Sequence, residues 1–215
     1  MLLSHTVASA KMLAATIFSL LPFLAAPALA QYYNQSAPFN LQVLSTANAT
    51  INGSFLTACH SGAAIESLCR VGSFSTSNTG FSSFNFNTST NTGVVYNTTL
   101  GEPGYLTYLL RGTNFNESEP LSMARDYSSN VGLPLFEPLE NVLVAFDSND
   151  LMNIQSYTDD TTGPPFTSEL RAYYRWYVCY TYFGSYTYQT LAWVFGSYPP
   201  ENPSCVKVDV KRIFI

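Results

Sequence analysis

The stretch that decides the fold lies at residues 172–215 and reads AYYRWYVCYTYFGSYTYQTLAWVFGSYPPENPSCVKVDVKRIFI. Its first part is rich in Tyr, Trp, Phe, Val and Thr, the residue types that favour β-strands. Gly184-Ser185 interrupts this run and has the length of a two-residue hairpin loop, with glycine first as a primed turn prefers. We therefore predict a β-hairpin with strands at residues 172–183 and 186–195.

The register of this hairpin follows from its turn. Because side chains alternate between the two faces of a strand, placing Phe183 opposite Tyr186 determines every other pair. One face is then apolar and predicted to lie on the core, with the pairs Tyr174–Phe195, Trp176–Trp193 and Val178–Leu191, and with Tyr180 beside Gln189 at its rim. The outer face carries Tyr173, Arg175, Tyr177, Cys179 and Thr181 on one strand, and Tyr188, Thr190, Ala192 and Val194 on the other.

A third strand is predicted from Ser204 to Ile213, where valine alternates with other residues. If its valines face the core, Cys205 lies on the outer face, where Cys179 also falls. The alternation therefore predicts a disulfide between Cys179 and Cys205 on neighbouring strands. On the chain-entropy model, closing a loop of this length stabilises the fold by roughly 3 kcal/mol.

The chain has four cysteines, and four cysteines allow three connectivities. We favour the nearest-neighbour connectivity, Cys59–Cys69 with Cys179–Cys205, because the second pair already has a geometric reason. Residues 59–69, CHSGAAIESLC, are then predicted to form a small loop or a single helical turn tied at both ends. Zinc is the alternative use of these thiols, but neither pair has CxxC spacing. We expect no metal and no other cofactor.

The rest of the chain continues the pattern of short strands and turns. Three further hairpins are predicted, at residues 83–87 with 93–96, 105–110 with 121–127, and 142–146 with 151–157. Residues 159–165, DDTTGPP, are predicted to form a loop, because paired prolines cannot donate to a strand ladder. About ten to twelve short strands without a helical period indicate an all-β fold. We predict a single-domain antiparallel β-sandwich of jelly-roll type, with a β-trefoil as the alternative.

Residues 1–30 have the features of a secretory signal peptide. An apolar run at residues 13–26 is followed by Ala28-Leu29-Ala30, the small-residue pattern of a cleavage site. The run is too short and too interrupted by proline for a membrane span. We therefore predict a secreted protein without a membrane span, whose residues 31–215 form one extracellular all-β domain.

The formal net charge is −5, from nine basic and 14 acidic side chains. Such a chain lacks the basic stripe that phosphate binding requires, so nucleic acid is not an expected partner. The oligomeric state has no signature in this sequence.

Six Asn-x-Ser/Thr sequons lie in the first half of the predicted mature chain, at Asn34, Asn48, Asn52, Asn87, Asn97 and Asn116. Because a glycan must project into solvent, we expect that half to present loops and strand edges. A sequence rich in Asn, Ser and Thr also produces sequons by chance, so we expect about half of them to carry a glycan.

No residue pattern indicates an enzyme. His60 is the only histidine in residues 31–215, and Ser61 and Glu66 are merely close to it in sequence. We therefore favour a loop histidine over a catalytic triad. Acid pairs suited to glycoside hydrolysis occur at predicted turns or loops, where acidic residues serve local hydrogen bonding. These pairs are Asp147 with Asp150 (which also suggests calcium but lacks the calcium-loop motif), Asp159 with Asp160, and Glu137 with Glu140.

The candidate binding surface on the outer hairpin face consists of Tyr173, Arg175, Tyr177 and Tyr188. Aromatic rings beside hydrogen-bonding groups suit polysaccharide, because apolar sugar faces stack on rings while sugar hydroxyls find partners. The alternative is structural: cross-strand Tyr and Thr pairs that stabilise the sheet, or a face covered by another layer.

Five blocks of the sequence carry a resemblance to known proteins: FNL at 39–41, LTACHSGA at 56–63, WYVC at 176–179, YQTLAW at 188–193 and NPSC at 202–205. With these blocks the chain resembles a family of small secreted proteins from filamentous fungi. The resemblance implies an uncharacterised extracellular domain, described in some similar proteins as belonging to the cell wall, and it brings no catalytic residues. We expect a secreted, N-glycosylated, non-enzymatic protein of the fungal surface or cell wall. The alternatives are a carbohydrate-binding module for cell-wall polysaccharide and, second, a glycoside hydrolase.

Overall fold

The structure, a computed structural model, describes residues 34–72, 80–89, 97, 99–138 and 141–215. The predicted signal peptide at 1–30 and the predicted strand at 93–96 lie outside the described residues. In chain order the described strands are β1 (Asn34–Gln35), β2 (Phe39–Leu44), β3 (Phe55–Gly62), β4 (Ile65–Val71), β5 (Phe84–Thr88), β6 (Tyr105–Arg111), β7 (Asn116–Arg125), β8 (Val131–Phe136), β9 (Ala145–Phe146), β10 (Met152–Asp159), β11 (Thr167–Tyr173), β12 (Trp176–Phe183), β13 (Tyr186–Val194), β14 (Val206–Lys207) and β15 (Asp209–Phe214).

Eight of these strands close into an antiparallel β-barrel, in the order β2, β5, β6, β7, β8, β13, β4, β3. Phe39 opposite Phe84 joins β2 to β5, and Gln42 opposite Phe55 joins β2 to β3. The all-β prediction is therefore confirmed, but a closed barrel replaces the predicted two-layer sandwich and its trefoil alternative. Alternation of apolar and polar residues reports which face of a strand is buried, and barrels and sandwiches share that pattern.

The remaining strands extend the barrel or form a second sheet. β15 lies along β2, β1 along β5, and β12 along β13, with β14 on the other edge of β12. β9, β10 and β11 form a separate three-stranded sheet with β10 in the middle. Within the described part of the chain, no helix has the length and hydrophobicity that crossing a bilayer requires.

β12 and β13 form the predicted hairpin in the predicted register. The observed pairs include Trp176–Trp193, Val178–Leu191, Tyr180–Gln189 and Phe183–Tyr186. Gly184 and Ser185 form the turn, and both have positive φ, 57° and 79°, as in a type I′ turn. A primed two-residue turn matches the twist of antiparallel strands, which is why this short loop settles the register.

The predicted tryptophan face lies in the main hydrophobic core. Trp176 is fully buried, and its ring N–H donates to the carbonyl oxygen of Met152 at 2.7 Å. Trp193 packs edge-on against it, with ring centroids 4.7 Å apart. The predicted burial of both tryptophans is therefore confirmed.

The first hairpin strand is shorter than predicted because the chain turns a corner at Tyr174. The residues before the corner, Thr167–Tyr173, pair with β10 instead of continuing the hairpin. The Tyr174 hydroxyl donates to Asp147 Oδ2 at 2.8 Å, and the Lys207 ammonium donates to the Tyr174 carbonyl oxygen. These contacts hold the corner, so the predicted pairing of Tyr174 with Phe195 is wrong.

Part of the outer hairpin face is buried. Cys179 and Ala192 are fully buried there. With Val131 and Leu133 of β8 they form a second, smaller apolar cluster. Because β8 is the neighbour of β13 in the same sheet, these contacts run along the sheet, and the covering layer stays a prediction.

Both predicted disulfides are present, Cys59–Cys69 and Cys179–Cys205, with Cα atoms 5.8 and 4.1 Å apart. Residues 59–69 do not form the predicted loop or helical turn. They belong instead to a hairpin of β3 and β4, whose turn is Ala63-Ala64. The short turn allows both strands to run through the cysteines and pair along their length.

The predicted third strand is interrupted. β14 pairs with β12 as expected, but β15 pairs with β2. Residues 204–213 therefore pair with two different strands, β12 and β2, rather than with one. Of the other predicted hairpins, β6 with β7 and β9 with β10 are present, and the predicted loop after β10 contains a 3₁₀ turn, Asp160–Thr162.

Candidate functional site

A trough passes over the surface between the three-stranded sheet and the barrel. It consists of three adjoining depressions of about 500, 210 and 440 Å³. Ile154 and Trp193 line both the first and the middle depression. Arg125 and Phe195 line both the middle and the last. Because neighbouring depressions share lining residues, we describe the three together and call them the trough.

The first depression combines an arginine–tyrosine pair with an acidic end. The Arg175 guanidinium lies over the Tyr173 ring, 4.6 Å from its centroid, and Asp159 and Asp160 line the same depression. The corner at Tyr174 produces this pair, because Tyr173 ends β11 while Arg175 lies just before β12.

The middle and last depressions contain a second pair of this kind. The Arg125 guanidinium lies over the Phe195 ring, 5.7 Å from its centroid. Gly132 permits this position of the ring, because a Cβ at residue 132 would come within 2.7 Å of it. Tyr127, at the last depression, is 98% exposed. Two arginine–aromatic pairs therefore flank Trp193 along the trough.

Asp159 is held as a carboxylate at the acidic end. The Thr161 hydroxyl and amide donate to Asp159 Oδ1 at 2.5 and 3.1 Å, and Arg171 lies 2.9 Å from Oδ2. The hydrogen bonds from Thr161 lower the pKa of Asp159, with Arg171 adding to the effect. A carboxylate held in this way is a poor general acid near neutral pH.

The four residues predicted to bind carbohydrate lie in different places. Tyr173 and Arg175 line the trough. Tyr177 packs against the second apolar cluster, and Tyr188 lies near the hairpin turn. The prediction that all four share one face is wrong, because the corner at Tyr174 separates the first two from the hairpin. Whether any of them binds carbohydrate stays a prediction.

Sequence reasoning did not single out Arg125 or Tyr127, and it assigned Phe195 and Trp193 to the core alone. One local signal was present. An arginine stands two residues from an aromatic residue in both Arg125-Asp126-Tyr127 and Tyr173-Tyr174-Arg175. The facing walls of the trough come from strands far apart in sequence. Their contact therefore cannot be predicted from any local sequence pattern.

The residues of the candidate triad do not come together. His60 is exposed, and its ring meets the Tyr186 ring edge-on at 5.4 Å. Ser61 is buried and shares a 2.7 Å hydrogen bond with the Ser67 hydroxyl instead. A serine without an adjacent imidazole has no base to activate it.

The acid pairs outside the trough have structural partners. Asp147 accepts the N–H groups of two residues in its turn at 2.8 and 2.9 Å, and Asp150 binds Arg212 at 2.8 Å. Glu137 accepts a 2.5 Å hydrogen bond from Ser122, while Glu140 lies outside the described residues. Among the residues that the structure describes, no group of three or more His, Cys, Asp or Glu side chains is arranged to hold a metal ion.

A buried pair of acids, which the sequence did not single out, lies elsewhere in the barrel. Glu119 of β7 is fully buried. Neither of its carboxyl oxygens has a hydrogen-bond partner of normal geometry, and Oε2 of Glu66 is also unpartnered. Burial raises the pKa of Glu119 to about 8, and the neighbouring Glu66 carboxyl adds to the effect. Glu119 is therefore mostly protonated at neutral pH.

The six sequons differ in accessibility, and none of them lines the trough. Asn34, Asn52, Asn97 and Asn116 are exposed, whereas Asn48 is half-buried. Asn87 lies opposite Gln35 of β1 and Tyr105 of β6. Its side-chain oxygen is buried without a hydrogen-bond partner.

Residues 36–214 match a family model described as "Domain of unknown function (DUF7907)". Neither a comparison with curated proteins nor one with solved structures found a match.

Proposed function

The chain belongs to the DUF7907 family, whose description assigns no activity, and we propose that it is a secreted, non-catalytic protein that binds cell-wall polysaccharide in the trough. One observation carries the proposal. Two arginine–aromatic pairs, Arg175 with Tyr173 and Arg125 with Phe195, lie in adjoining depressions that both have Trp193 in their lining.

The chemistry of the trough suits a sugar chain better than a compact ligand. Aromatic side chains offer apolar surface to the faces of pyranose rings, and guanidinium groups donate several hydrogen bonds to sugar oxygens. The shared walls extend the site over three depressions. An extended ligand gains contacts in each depression, whereas a single monosaccharide fills one.

The acids of the trough support binding without cleavage. Glycoside hydrolysis ordinarily needs one carboxyl group that holds a proton near neutral pH and a second that is ionised. Asp159 has a lowered pKa, and Glu119, whose pKa is raised to about 8, is buried away from the lining of the trough. This arrangement favours a binding module over the glycoside hydrolase alternative.

Two further features support the extracellular part of the proposal. Disulfides such as Cys59–Cys69 and Cys179–Cys205 form and persist in oxidising compartments. All six sequons lie outside the trough, so attached glycans would leave it open. The resemblance to secreted fungal proteins suggests a fungal wall as the source of the ligand.

A retention assay on insoluble chitin and β-glucan tests the proposal. We expect the purified protein to be retained on at least one of them, and Tyr127→Ala and Tyr173→Ala each to weaken retention roughly 2- to 10-fold, the value of one aromatic contact. Tyr182→Ala is the matched control, because Tyr182 is 68% exposed but does not line the trough. Lack of retention on any wall polysaccharide, or equal losses in all three variants, would show the proposal to be wrong.

A further inference from the structure

We infer that the polysaccharide bound in the trough carries N-acetylated sugars, and that the middle depression receives the acetamido group of one of them. This inference rests on the proposed function and adds the chemical class of the ligand, that of chitin. It comes from the walls of the middle depression, which differ in chemistry from those of its two neighbours.

The middle depression, of about 210 Å³, is lined almost wholly by apolar side chains. Arg125 is its one polar residue, and the others are Met123, Val142, Ile154, Trp193 and Phe195. All of the apolar ones except Trp193 are only half-buried against the main core, so they present apolar surface to the depression. Covering that surface with an apolar ligand group is favourable.

The two neighbouring depressions have more polar walls. Asp159, Asp160 and Thr161 are among the residues that line the first, and Asp126 and Asn130 are among those that line the last. Sugar hydroxyls find donors and acceptors in such walls. In the middle depression they would give up hydrogen bonds to water and gain few in return, which is unfavourable. A substituent with a methyl group suits the middle depression better than a hydroxyl does.

The charged group of the middle depression indicates what the substituent carries besides a methyl. The Arg125 guanidinium lies over the Phe195 ring, 5.7 Å from its centroid, and a guanidinium has N–H donors but no acceptor. An acetamido group offers a methyl to the apolar wall and a carbonyl oxygen to such a donor. A free amine is disfavoured, because its charged form would lie beside Arg125 and lose hydration against apolar side chains. Since an acetamido group is uncharged, the carboxylates of the neighbouring depressions do not oppose it.

The shape of the middle depression depends on a glycine. Gly132 of β8 pairs with Arg125 of β7 on one side and with Trp193 of β13 on the other, so the three residues form a row across the sheet. The Phe195 ring lies against this glycine, where an added Cβ would come within 2.7 Å of it. The absence of a side chain at residue 132 therefore lets the ring line the same depression as Arg125 and Trp193.

The test uses three β-1,4-linked pentamers that differ only in the substituent on carbon 2 of each sugar. Chitopentaose carries an acetamido group, cellopentaose a hydroxyl, and fully deacetylated chitopentaose an amine. By calorimetric titration of the purified protein at physiological salt, we expect chitopentaose to bind about tenfold or more tightly than the other two. A hydrophobic pocket discriminates a group of methyl size by roughly that factor.

Val142→Thr should lower this preference about threefold or more, because a hydroxyl replaces one methyl of the apolar wall. Val206→Thr is the matched control. Val206 is also half-buried against the main core but does not line the trough, so its replacement should leave the preference unchanged. Circular dichroism spectra should show that both variants are folded, and the three pentamers decide on the parent protein alone if Val142→Thr is not.

Equal or tighter binding of cellopentaose or of the deacetylated pentamer, or retention of the protein on β-glucan alone, would overturn the inference and leave the proposed function standing. An unchanged preference in Val142→Thr, or an equal loss in Val206→Thr, would also overturn it, since the acetamido group would then lie elsewhere. Failure of every oligosaccharide to bind, together with lack of retention on chitin and β-glucan, would overturn the proposed function as well.

Discussion

Gly184, at the tip of the long hairpin, lies directly against the carbonyl oxygen of Ser61. A side chain at residue 184 would overlap that oxygen. The turn of the β12–β13 hairpin is thus docked on the end of β3, beside the turn of the β3–β4 hairpin. Glycine is needed here for two reasons, the close approach and the positive φ of 57°.

Gly184→Ala should destabilise the protein by more than a positive φ alone explains. An L-residue with positive φ costs roughly 1–2 kcal/mol, and overpacking adds about 1–3 kcal/mol. The free energy of unfolding in urea measures the total. Gly53→Ala is the control, since Gly53 also has positive φ (78°) but has no atom within 4 Å of the added Cβ. Equal losses in the two variants would contradict the docking of the hairpin tip.

Ser185→Gly should stabilise the same turn. Ser185 has a φ of 79°, a value that glycine adopts without strain but serine does not. Relief of that strain outweighs the extra entropy of glycine in the unfolded chain, so we expect a gain of about 0.5–1 kcal/mol. A rise in the melting temperature with an unchanged circular dichroism spectrum would agree, and a fall would show that the serine is not strained.

The buried carboxyl of Glu119 predicts that stability falls as pH rises. Its pKa is raised from 4.5 to about 8 in the folded state, so between these values the folded protein holds a proton that the unfolded chain has lost. The contribution of that proton is fully present below pH 4.5, declines through neutral pH, and is gone above about pH 8. Unfolding in urea at pH 5, 7 and 9 should show the decline, on the order of a few kcal/mol.

Glu119→Gln isolates this effect from all other titrations. The amide does not titrate, so we expect the variant to lose much of the decline between pH 5 and 9 and to be more stable than the parent at the alkaline end. Glu117→Gln, an exposed site on the same face of β7, should keep most of the decline, because Glu117 raises the pKa of Glu119 less than burial and Glu66 do. If both variants show the parent's pH profile, Glu119 is not the group responsible.

Removal of the Cys179–Cys205 disulfide should lower stability by about 3 kcal/mol, the chain-entropy value for a separation of 26 residues. The paired Cys179→Ser and Cys205→Ser variant, compared with the parent by urea unfolding, tests this. The shorter Cys59–Cys69 loop, with a separation of 10 residues, should contribute somewhat less. A larger loss from the shorter loop would mean that packing at Cys59 and Cys69, rather than loop closure, dominates.

Asn87 should carry no glycan in folded, secreted protein. Its side-chain oxygen is buried, and β1 runs alongside at Gln35, so a glycan would have to displace that strand. Mass spectrometry of glycopeptides from a eukaryotic host should find occupancy at exposed sites such as Asn34 and Asn116. High occupancy at Asn87 would show that β1 does not stay paired with β5.

The parts of the fold that were predictable depend on neighbours in sequence. A two-residue turn places Trp176 opposite Trp193, and alternation places Cys179 and Cys205 on one side of the sheet, so both the register and the disulfide follow from local rules. The corner at Tyr174 does not follow from local rules. Asp147 and Lys207, which hold it, lie far away in the chain.

Barrel closure and the trough could not be predicted from local sequence either, because both depend on residues that lie far apart in the chain. The pairing of Phe39 with Phe84 joins β2 to β5 and closes the barrel. The alternation of apolar and polar residues in these two strands would fit a sandwich equally well. Arg125 at the end of β7 and Phe195 just after β13 meet across β8, and neither is unusual in its own segment. Glu119 is the opposite case, since an acid in a strand is ordinarily exposed, and its burial contradicts the local expectation.

The ladder between β2 and β15 runs from Phe39 opposite Phe214 to Leu44 opposite Asp209. During synthesis the ribosome releases β2 long before residues 209–214 exist. In that interval one edge of β2 is unpaired, and an unpaired strand edge can pair with strands of other nascent chains. We therefore expect the incomplete chain to be most open to aggregation at β2, until β15 has been made and has paired with it.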